Sequence, residues 1–236
     1  MLQINCISSP VLRYNVKKKL GWGAFSTVWR CSDKMEGIDV AVKVAKSDQA
    51  TTEQVTDEIK LLKAVGKVET DHIGKETVMR LLGSFSVTGE NGSHLCLAME
   101  LLGANLLKCL DTRSGMCLYN VKVVMRQVLQ GLDFLHTEVG IIHADIKPEN
   151  ILLVDSGPRN LSLPVERLKV KIVDLGSSCW VARHFSFSIG TTEYRGPELL
   201  LGLEGAEEQE LGGYGPPVDV WAAACLAFEL STGEDA

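Results

Sequence analysis

Apolar positions recur along the chain in two rhythms, and the rhythm changes near Gly103. Before Gly103 the two-residue alternation of strands dominates. Tyr14–Lys19 alternates and runs into Gly21, and Thr27–Cys31 and Val40–Val44 are short apolar-rich runs, so three strands are predicted. Thr51–Val65 instead carries Val55, Ile59, Leu62 and Val65 near the helical period. Val78–Val87 and His94–Met99 read as two further strands joined across Gly89-Glu90-Asn91-Gly92, where Asn-Gly is a hairpin signal. After Gly103, Leu106–Leu110 reads as a short helix. Asn120–Thr137 reads as a long one, with Val121, Val124, Val128, Leu132 and Leu135 on one face. Short strands are expected at Ile151–Val154 and Val170–Val173, and an apolar helix at Val218–Ser231. The pattern is that of a bilobal α+β fold. Residues 1–13 are an N-terminal extension, and 14–99 an antiparallel β lobe with one main helix. Residues 100–102 are a hinge, and 103–236 a mostly helical lobe. Turn chemistry and glycine mark Asp155–Leu168 and Leu203–Gly213 as loops, the second carrying Glu204, Glu207, Glu208 and Glu210.

Composition narrows the classes. The chain has 236 residues, 45% hydrophobic and 23% charged, as in an ordinary globular protein. No apolar run approaches the ~20 residues of a membrane span, and Met1–Leu12 lacks the basic start and apolar core of a signal peptide. The seven cysteines are scattered, odd in number and without C-x-x-C spacing. Reduced thiols in cytoplasm or nucleus are expected, not a disulfide framework or a zinc site. Asn91-Gly92-Ser93 and Asn160-Leu161-Ser162 fit the glycosylation pattern but read as turns. A net charge of −6 disfavours direct nucleic-acid binding.

The candidate chemistry sits in ordered motifs. Gly21-Trp22-Gly23-Ala24-Phe25-Ser26-Thr27-Val28 follows G-x-G-x-x-G-x-V with Ser26 at the third glycine. Gly21 and Gly23 let the backbone approach phosphate oxygens. Ala41-Val42-Lys43 follows on the next strand. Lys43 is a point charge for the α and β phosphates, with Glu58 as its partner in preference to Glu53 or Asp57, because Ile59 and Leu62 mark the buried side beside it. Val28 and Ala41 would roof an adenine slot and Leu152 floor it, with main-chain groups of Glu100 and Leu102 at its edge and Met99 at its back. His143-Ala-Asp-Ile-Lys-Pro-Glu-Asn150 then precedes Asp174-Leu175-Gly176 by 24 positions. Asp145 would receive a hydroxyl proton, Lys147 would neutralise phosphoryl charge, and Asn150 and Asp174 would ligate Mg²⁺ through hard oxygens. Ala144 stands where an arginine commonly precedes the aspartate, so no arginine is placed there to grip a phosphorylated segment within Ser177–Ser188.

Together these strings resemble the eukaryotic protein kinases, and within them the SR-protein kinases of the CMGC group. The strings closest to that branch are Gly21-Trp-Gly with Phe25-Ser-Thr-Val-Trp29, Asp57-Glu-Ile-Lys-Leu-Leu-Lys63, Asp174-Leu-Gly with Cys179-Trp180, and Trp221-Ala-Ala-Ala-Cys-Leu-Ala-Phe-Glu-Leu230. The resemblance implies the protein-kinase fold, ATP and Mg²⁺ as cofactors, transfer of the γ-phosphoryl to serine or threonine, constitutive activity and Arg/Ser-rich splicing factors as substrates. It also implies that Thr191 bonds Asp145 and Lys147, that Arg195 is the arginine of the Tyr194-Arg-Gly-Pro-Glu198 segment, and that Asp219 holds the catalytic-loop backbone. The sequence departs from the family at Leu175, which replaces phenylalanine, and at Gly190-Thr-Thr-Glu193, which replaces Gln-Thr-Arg-Gln. Only Asp155–Leu168 stands where the family has a long spacer, and the final C-lobe helices are not in the sequence. The acidic run Glu204–Glu210 would attract arginine-rich substrate or be a solvated loop. Two other functions compete: a catalytically impaired nucleotide-binding or scaffold module, and a small-molecule kinase.

Overall fold

A computed structural model describes residues 13–155, 161–183, 189–201 and 214–234. Residues 1–12 and the acidic run Glu204–Glu210 lie outside the described residues. Contacts divide the chain into two units, Met1–Gly66 with Arg80–Leu101, and Lys67–Met79 with Leu102–Ala236. The chain therefore passes between the units three times, where the sequence reading had one crossing at 100–102.

The first unit is built on β1 (Tyr14–Trp22), β2 (Ser26–Asp33), β3 (Ile38–Ala45), α1 (Gln49–Lys67), β4 (Leu81–Gly89) and β5 (Gly92–Glu100). The strands form one antiparallel sheet in the order β1-β2-β3-β5-β4. Strand alternation sets its two faces. Val40 and Val42 on β3 join Cys31, Cys96 and Ala98 in a buried cluster, so Ala41 and Lys43 belong to the other face. α1 opens two residues before its apolar period predicts. The reason is a cap: the Asp48 carboxylate accepts the Thr51 N–H at 2.9 Å, a donor the helix cannot use itself. In the β4–β5 hairpin Gly89 pairs with Gly92, so the two turn residues are Glu90-Asn91 and not Asn-Gly. Gly92 has φ 105°, and a Cβ there would lie 3.1 Å from Ser47, whose hydroxyl donates to the Asn91 carbonyl. The strand expected from Val78 begins at Leu81 because the residues before it are spent elsewhere: Val78 bridges Ile172, and Met79 N–H donates to Ile172 O at 2.9 Å, both within the second unit.

The second unit follows with α2 (Leu118–Asp133), β6 (Ile141–Ile142), β7 (Ile151–Leu153), β8 (Val170–Ile172), β9 (Cys179–Trp180), α3 (Pro197–Leu200) and α4 (Pro217–Thr232). The stretch expected as the end of the long helix is instead a π-type turn, Phe134–Val139, closed by Gly140 at φ 76°. Leu106–Cys109 is a single 3₁₀ turn capped by the Asn105 side chain. The apolar rows of the two long helices meet in the core: Val121, Val124, Val128 and Leu132 from α2, and Ala222, Ala223, Leu226 and Leu230 from α4. The paired strands β7 and β8 close it with Ile151, Leu153, Val170 and Ile172. The described part of the Asp155–Leu168 loop is anchored by one buried amide. Asn120 Nδ2 donates to Leu161 O and Leu163 O at 2.8 Å each, and its Oδ1 accepts the Val165 N–H at 2.9 Å. On α4, Val220, Trp221 and Phe228 are exposed. Among the described residues the six cysteines are free thiols. Burial pushes Cys31 up to about 11 and Cys96 up to about 12, which leaves both unreactive. No described helix is long and apolar enough to cross a membrane.

Candidate functional site

In the first unit the strand register decides which residues share a face. Gly21 on β1 pairs with Val28 on β2, and Val28 pairs with Lys43 on β3. Directly opposed residues of antiparallel strands point the same way, so Gly21, Val28, Lys43 and Ala41 line one side of the sheet. Gly23 and Ser26 close the loop between β1 and β2, with Gly23 N–H donating to Ser26 O at 2.9 Å. A Cβ added at Gly21 or Gly23 would meet nothing within 4 Å, and neither has positive φ. The fold itself therefore needs no glycine at either position. The open space suits a group from outside that must approach the backbone closely, as phosphate oxygens do.

Lys43 Nζ lies 2.8 Å from Glu58 Oε1 and 2.9 Å from Oε2. Glu58 is buried, and this bidentate bond ties β3 to α1 and fixes where the ammonium points. The competing carboxylates are occupied locally: Glu53 accepts from Gln49, and Asp57 from Lys60. Met99 is buried on β5 opposite Ala41. The Glu100 carboxylate accepts the Arg80 N–H, and its own N–H donates to Arg80 O at 3.4 Å.

In the second unit one carboxylate gathers the predicted residues. Asp145 Oδ1 accepts the Thr191 hydroxyl at 2.7 Å and the Thr191 N–H at 3.2 Å. Its Oδ2 accepts Asn150 Nδ2 at 2.9 Å and lies 2.9 Å from Lys147 Nζ. Lys147 also donates to Thr191 Oγ1 at 2.7 Å. Asp145, Lys147, Asn150 and Thr191 thus form one closed network. Asn150 uses its amide hydrogens on Asp145 Oδ2 and Asp145 O, which leaves its side-chain oxygen facing elsewhere. Val173 N–H donates to Asn150 O at 2.9 Å, so Asn150 is linked to the residue preceding Asp174. Asp174 itself takes φ 65°, a left-handed conformation rare outside glycine, and accepts the Gly176 N–H. An amide oxygen and a carboxylate are hard donors of the kind Mg²⁺ takes, with the rest of its shell drawn from phosphate and water. Leu152 on β7 and Leu102 are half-buried and stand outside the network. Leu175 is buried at 2% exposure.

Burial alone would push the Asp145 carboxyl up. The Thr191 hydroxyl and Lys147 more than offset that and hold it below its usual range. A folded value below the unfolded one means the ionised form is favoured by folding. That contribution is present above the unfolded value, near ~3.9, and is lost only as pH falls through the lower folded value. Thr191→Val removes the principal holding bond. It should move the acid limb of the pH–kcat/KM profile to higher pH, and an unmoved limb would count against the geometry.

The catalytic-loop backbone is held from α4. Asp219, 0% exposed, accepts the His143 N–H on Oδ2 and the Ala144 N–H on Oδ1, each at 2.8 Å. His136 Nε2 reaches Asp219 Oδ2 at 2.8 Å. Ala144 is itself left-handed, at φ 66°. Sequence reasoning did not find His136, although it carries a signal: Val128, Leu132 and His136 are spaced by four, so a polar residue falls in the apolar row of the helix expected over Asn120–Thr137. Gly190, at φ 74°, receives two bonds from the Arg195 guanidinium on its carbonyl oxygen and would place a Cβ 3.0 Å from Ala144 O. Tyr194 OH donates to the buried Glu229. A narrow recess lies beside Asp145, lined by Thr191, Tyr194, Arg195, Leu199 and Val218 among others.

Comparison with known proteins bears on all of this. Residues 14–236 match the protein kinase domain family. The chain is similar to a serine/threonine-protein kinase SRPK of Physarum polycephalum, at 36% identity over 94% of this chain and 61% of that protein. It is similar to SRSF protein kinase 3 of Mus musculus, at 28% over 94% of this chain and 68% of that protein. It is also similar to protein kinase dsk1 of Schizosaccharomyces pombe, at 28% over 94% of this chain and 61% of that protein. The chain thus spans about two thirds or less of these relatives' length.

Proposed function

The chain belongs to the protein kinase family and is SR-protein-kinase-like, and on that premise we propose that it transfers the γ-phosphoryl of ATP to serine in protein substrates, Arg/Ser-rich ones first among them. The observation that carries the reading is the Asp145 network. A carboxylate has four acceptor sites, and the four bonds from Thr191, Asn150 and Lys147 occupy them. A substrate hydroxyl can enter only as one of these bonds opens. Lys147 is the group that would leave, because its ammonium then turns to the transferring phosphoryl and frees Oδ2 to receive the serine proton. Thr191 keeps Oδ1 fixed meanwhile, so the carboxylate does not rotate. Bound ATP and Mg²⁺ would supply the phosphoryl group and neutralise its charge, with Lys43 on the phosphates and Asn150 and Asp174 on the metal. Acceleration would then come chiefly from orientation and charge stabilisation.

The substrate preference is supported by the name of the relative SRSF protein kinase 3 and by the acidic run Glu204–Glu210. The reading is tested by ³²P transfer from ATP·Mg²⁺ to an Arg-Ser repeat peptide and to a generic basic serine peptide. Transfer to the first in clear preference to the second is expected. Equal rates would remove the substrate assignment and keep the kinase; no transfer to either would favour a nucleotide-binding module. Since Ala144 offers no guanidinium to a phosphate, phosphatase treatment should leave the rate within about twofold. A loss of activity after treatment would show that a phosphorylated segment is needed.

A further inference from the structure

Ser178 connects the two loops that carry Asp174 and Asp145, and the mechanism above does not use it. It is 3% exposed. Its Oγ donates to the main-chain oxygen of His143 at 2.8 Å, and its own N–H is committed to Leu175 O at 3.1 Å in the turn after Asp174. The β6–β9 ladder ends at the pair Ile142–Cys179, one residue short of both. The hydroxyl carries the connection one step further.

His143 is 0% exposed, and each of its other polar atoms is engaged. Its N–H donates to Asp219, its Nδ1 accepts the Asp145 N–H at 3.2 Å, and its Nε2 is 3.0 Å from Val173 O. Among the described residues, Ser178 Oγ is the donor that meets its carbonyl. The consequence lies in one peptide plane. The C=O of the 143–144 peptide is held by Ser178, and the N–H of the same peptide by Asp219 Oδ1. Ala144, which follows, has φ 66°. A non-glycine residue keeps that conformation only where its surroundings over-determine it. Rotation of this peptide would relieve Ala144 and displace Asp145, the next residue.

We propose that Ser178 is a positioning residue for phosphoryl transfer: with Asp219 it clamps both edges of the 143–144 peptide, holds Ala144 left-handed, and so fixes the Asp145 carboxylate relative to the Asp174 turn. The inference rests on the kinase reading. It gives the catalytic loop an internal tie at the place where Ala144 provides none for a phosphate.

The test compares the wild type with Ser178→Ala, Ser178→Thr, Ala144→Gly and the Ser178→Ala/Ala144→Gly double variant. Two readouts are taken: steady-state phosphorylation of a serine peptide, and amide hydrogen exchange at residues 143–145. Ser178→Ala should lower kcat about tenfold, an order less than the ~10²-fold of a ~1 Å misplacement, with KM for peptide unchanged and exchange at 143–145 at least tenfold faster. Threonine, which keeps the hydroxyl, should restore both. Glycine at 144 tolerates positive φ, so Ser178→Ala should cost less in that background, and a double-mutant cycle reads the difference. A purely structural serine would lower Tm in every background and leave kcat per folded molecule alone. Wild-type kcat and exchange in Ser178→Ala would overturn the proposal. If the wild type transfers no phosphate, the kinase reading falls separately. Exchange at 143–145 then decides the clamp by itself, and an unchanged rate overturns it.

Discussion

Asp145→Asn is expected to lower kcat for peptide phosphorylation by about 10²–10⁴-fold, the range a positioned general base contributes, with KM for ATP changed less than about threefold. The asparagine keeps the size of the side chain but loses an acceptor. Where Oδ2 receives Asn150 Nδ2 and Lys147 Nζ, an amide would present either an oxygen to both or hydrogens against both. In the first case Oδ1 becomes an NH₂ facing the Thr191 N–H and hydroxyl. One side of the network therefore breaks in either orientation, and no oxygen remains basic enough for the serine proton. Lys147 also loses its counter-charge, and in the second orientation bonds Thr191 alone. Nucleotide contacts assigned to Lys43 and Glu58 lie in the other unit and are untouched, which is why KM for ATP is the control. A kcat within about fivefold of wild type would mean that Asp145 is not the proton acceptor, and the network would then be structural.

Asp219→Ala should lower the stability of the second unit by about 3–5 kcal/mol, because one buried acceptor serves several donors and each donor left unsatisfied costs about 1–3 kcal/mol. Three donors lose their acceptor: the N–H groups of His143 and Ala144, and the His136 ring. The two backbone N–H groups lie in protein, not water, since His143 is 0% exposed and Ala144 7%. Water does not replace the lost bonds there, so the desolvation cost of each N–H is left uncompensated. With ~2–4 °C per kcal/mol for a chain of this size, the melting temperature should fall by about 6–20 °C. Asp219→Asn should fall between, since its oxygen serves one N–H while its NH₂ opposes the other. A fall of less than about 3 °C for the alanine variant would show that other contacts hold the loop.

What the sequence discloses and what it withholds follow from the range of each interaction. The choice of Glu58 over Glu53 and Asp57 could be made from Ile59 and Leu62 because helical period and partner lie within one element. The row of Gly21, Val28 and Lys43 was open to order-based reasoning for the same reason: three consecutive strands with tight turns leave few registers. The α1 start was missed by two residues because a cap acts through a side chain outside the periodic run. The end of α2 was missed because a π-type turn keeps the apolar spacing of a helix while changing its bonds. Asn120, Ser178 and His136 left no local trace of their partners. Each bonds groups distant in sequence, by 41, 35 and 83 residues respectively. The left-handed residues Ala144 and Asp174 were equally silent, since no glycine marks them. Thr191 and Asp219 were anticipated through family resemblance, since spacing alone carries no sign of a contact across 46 or 75 residues.

The triple passage of the chain between its units limits how the protein can be cut. The seam that looks natural in the sequence is the step at Leu101–Leu102, yet a gene divided there leaves Lys67–Met79 on the wrong piece. That short stretch supplies Val78 and Met79 to Ile172, and Gly74, where a Cβ would sit 1.8 Å from Gln130 O, lies against the α2 backbone. A downstream fragment would expose the edge of β8 and a bare helix flank, and an upstream fragment would carry a tail folded for a partner it lacks. A break before Lys67 fares no better, because it sends β4 and β5, the sheet neighbours of β3, to the downstream piece; with three passages no single cut leaves both cores whole, and complementation from two separately made halves should fail at either site.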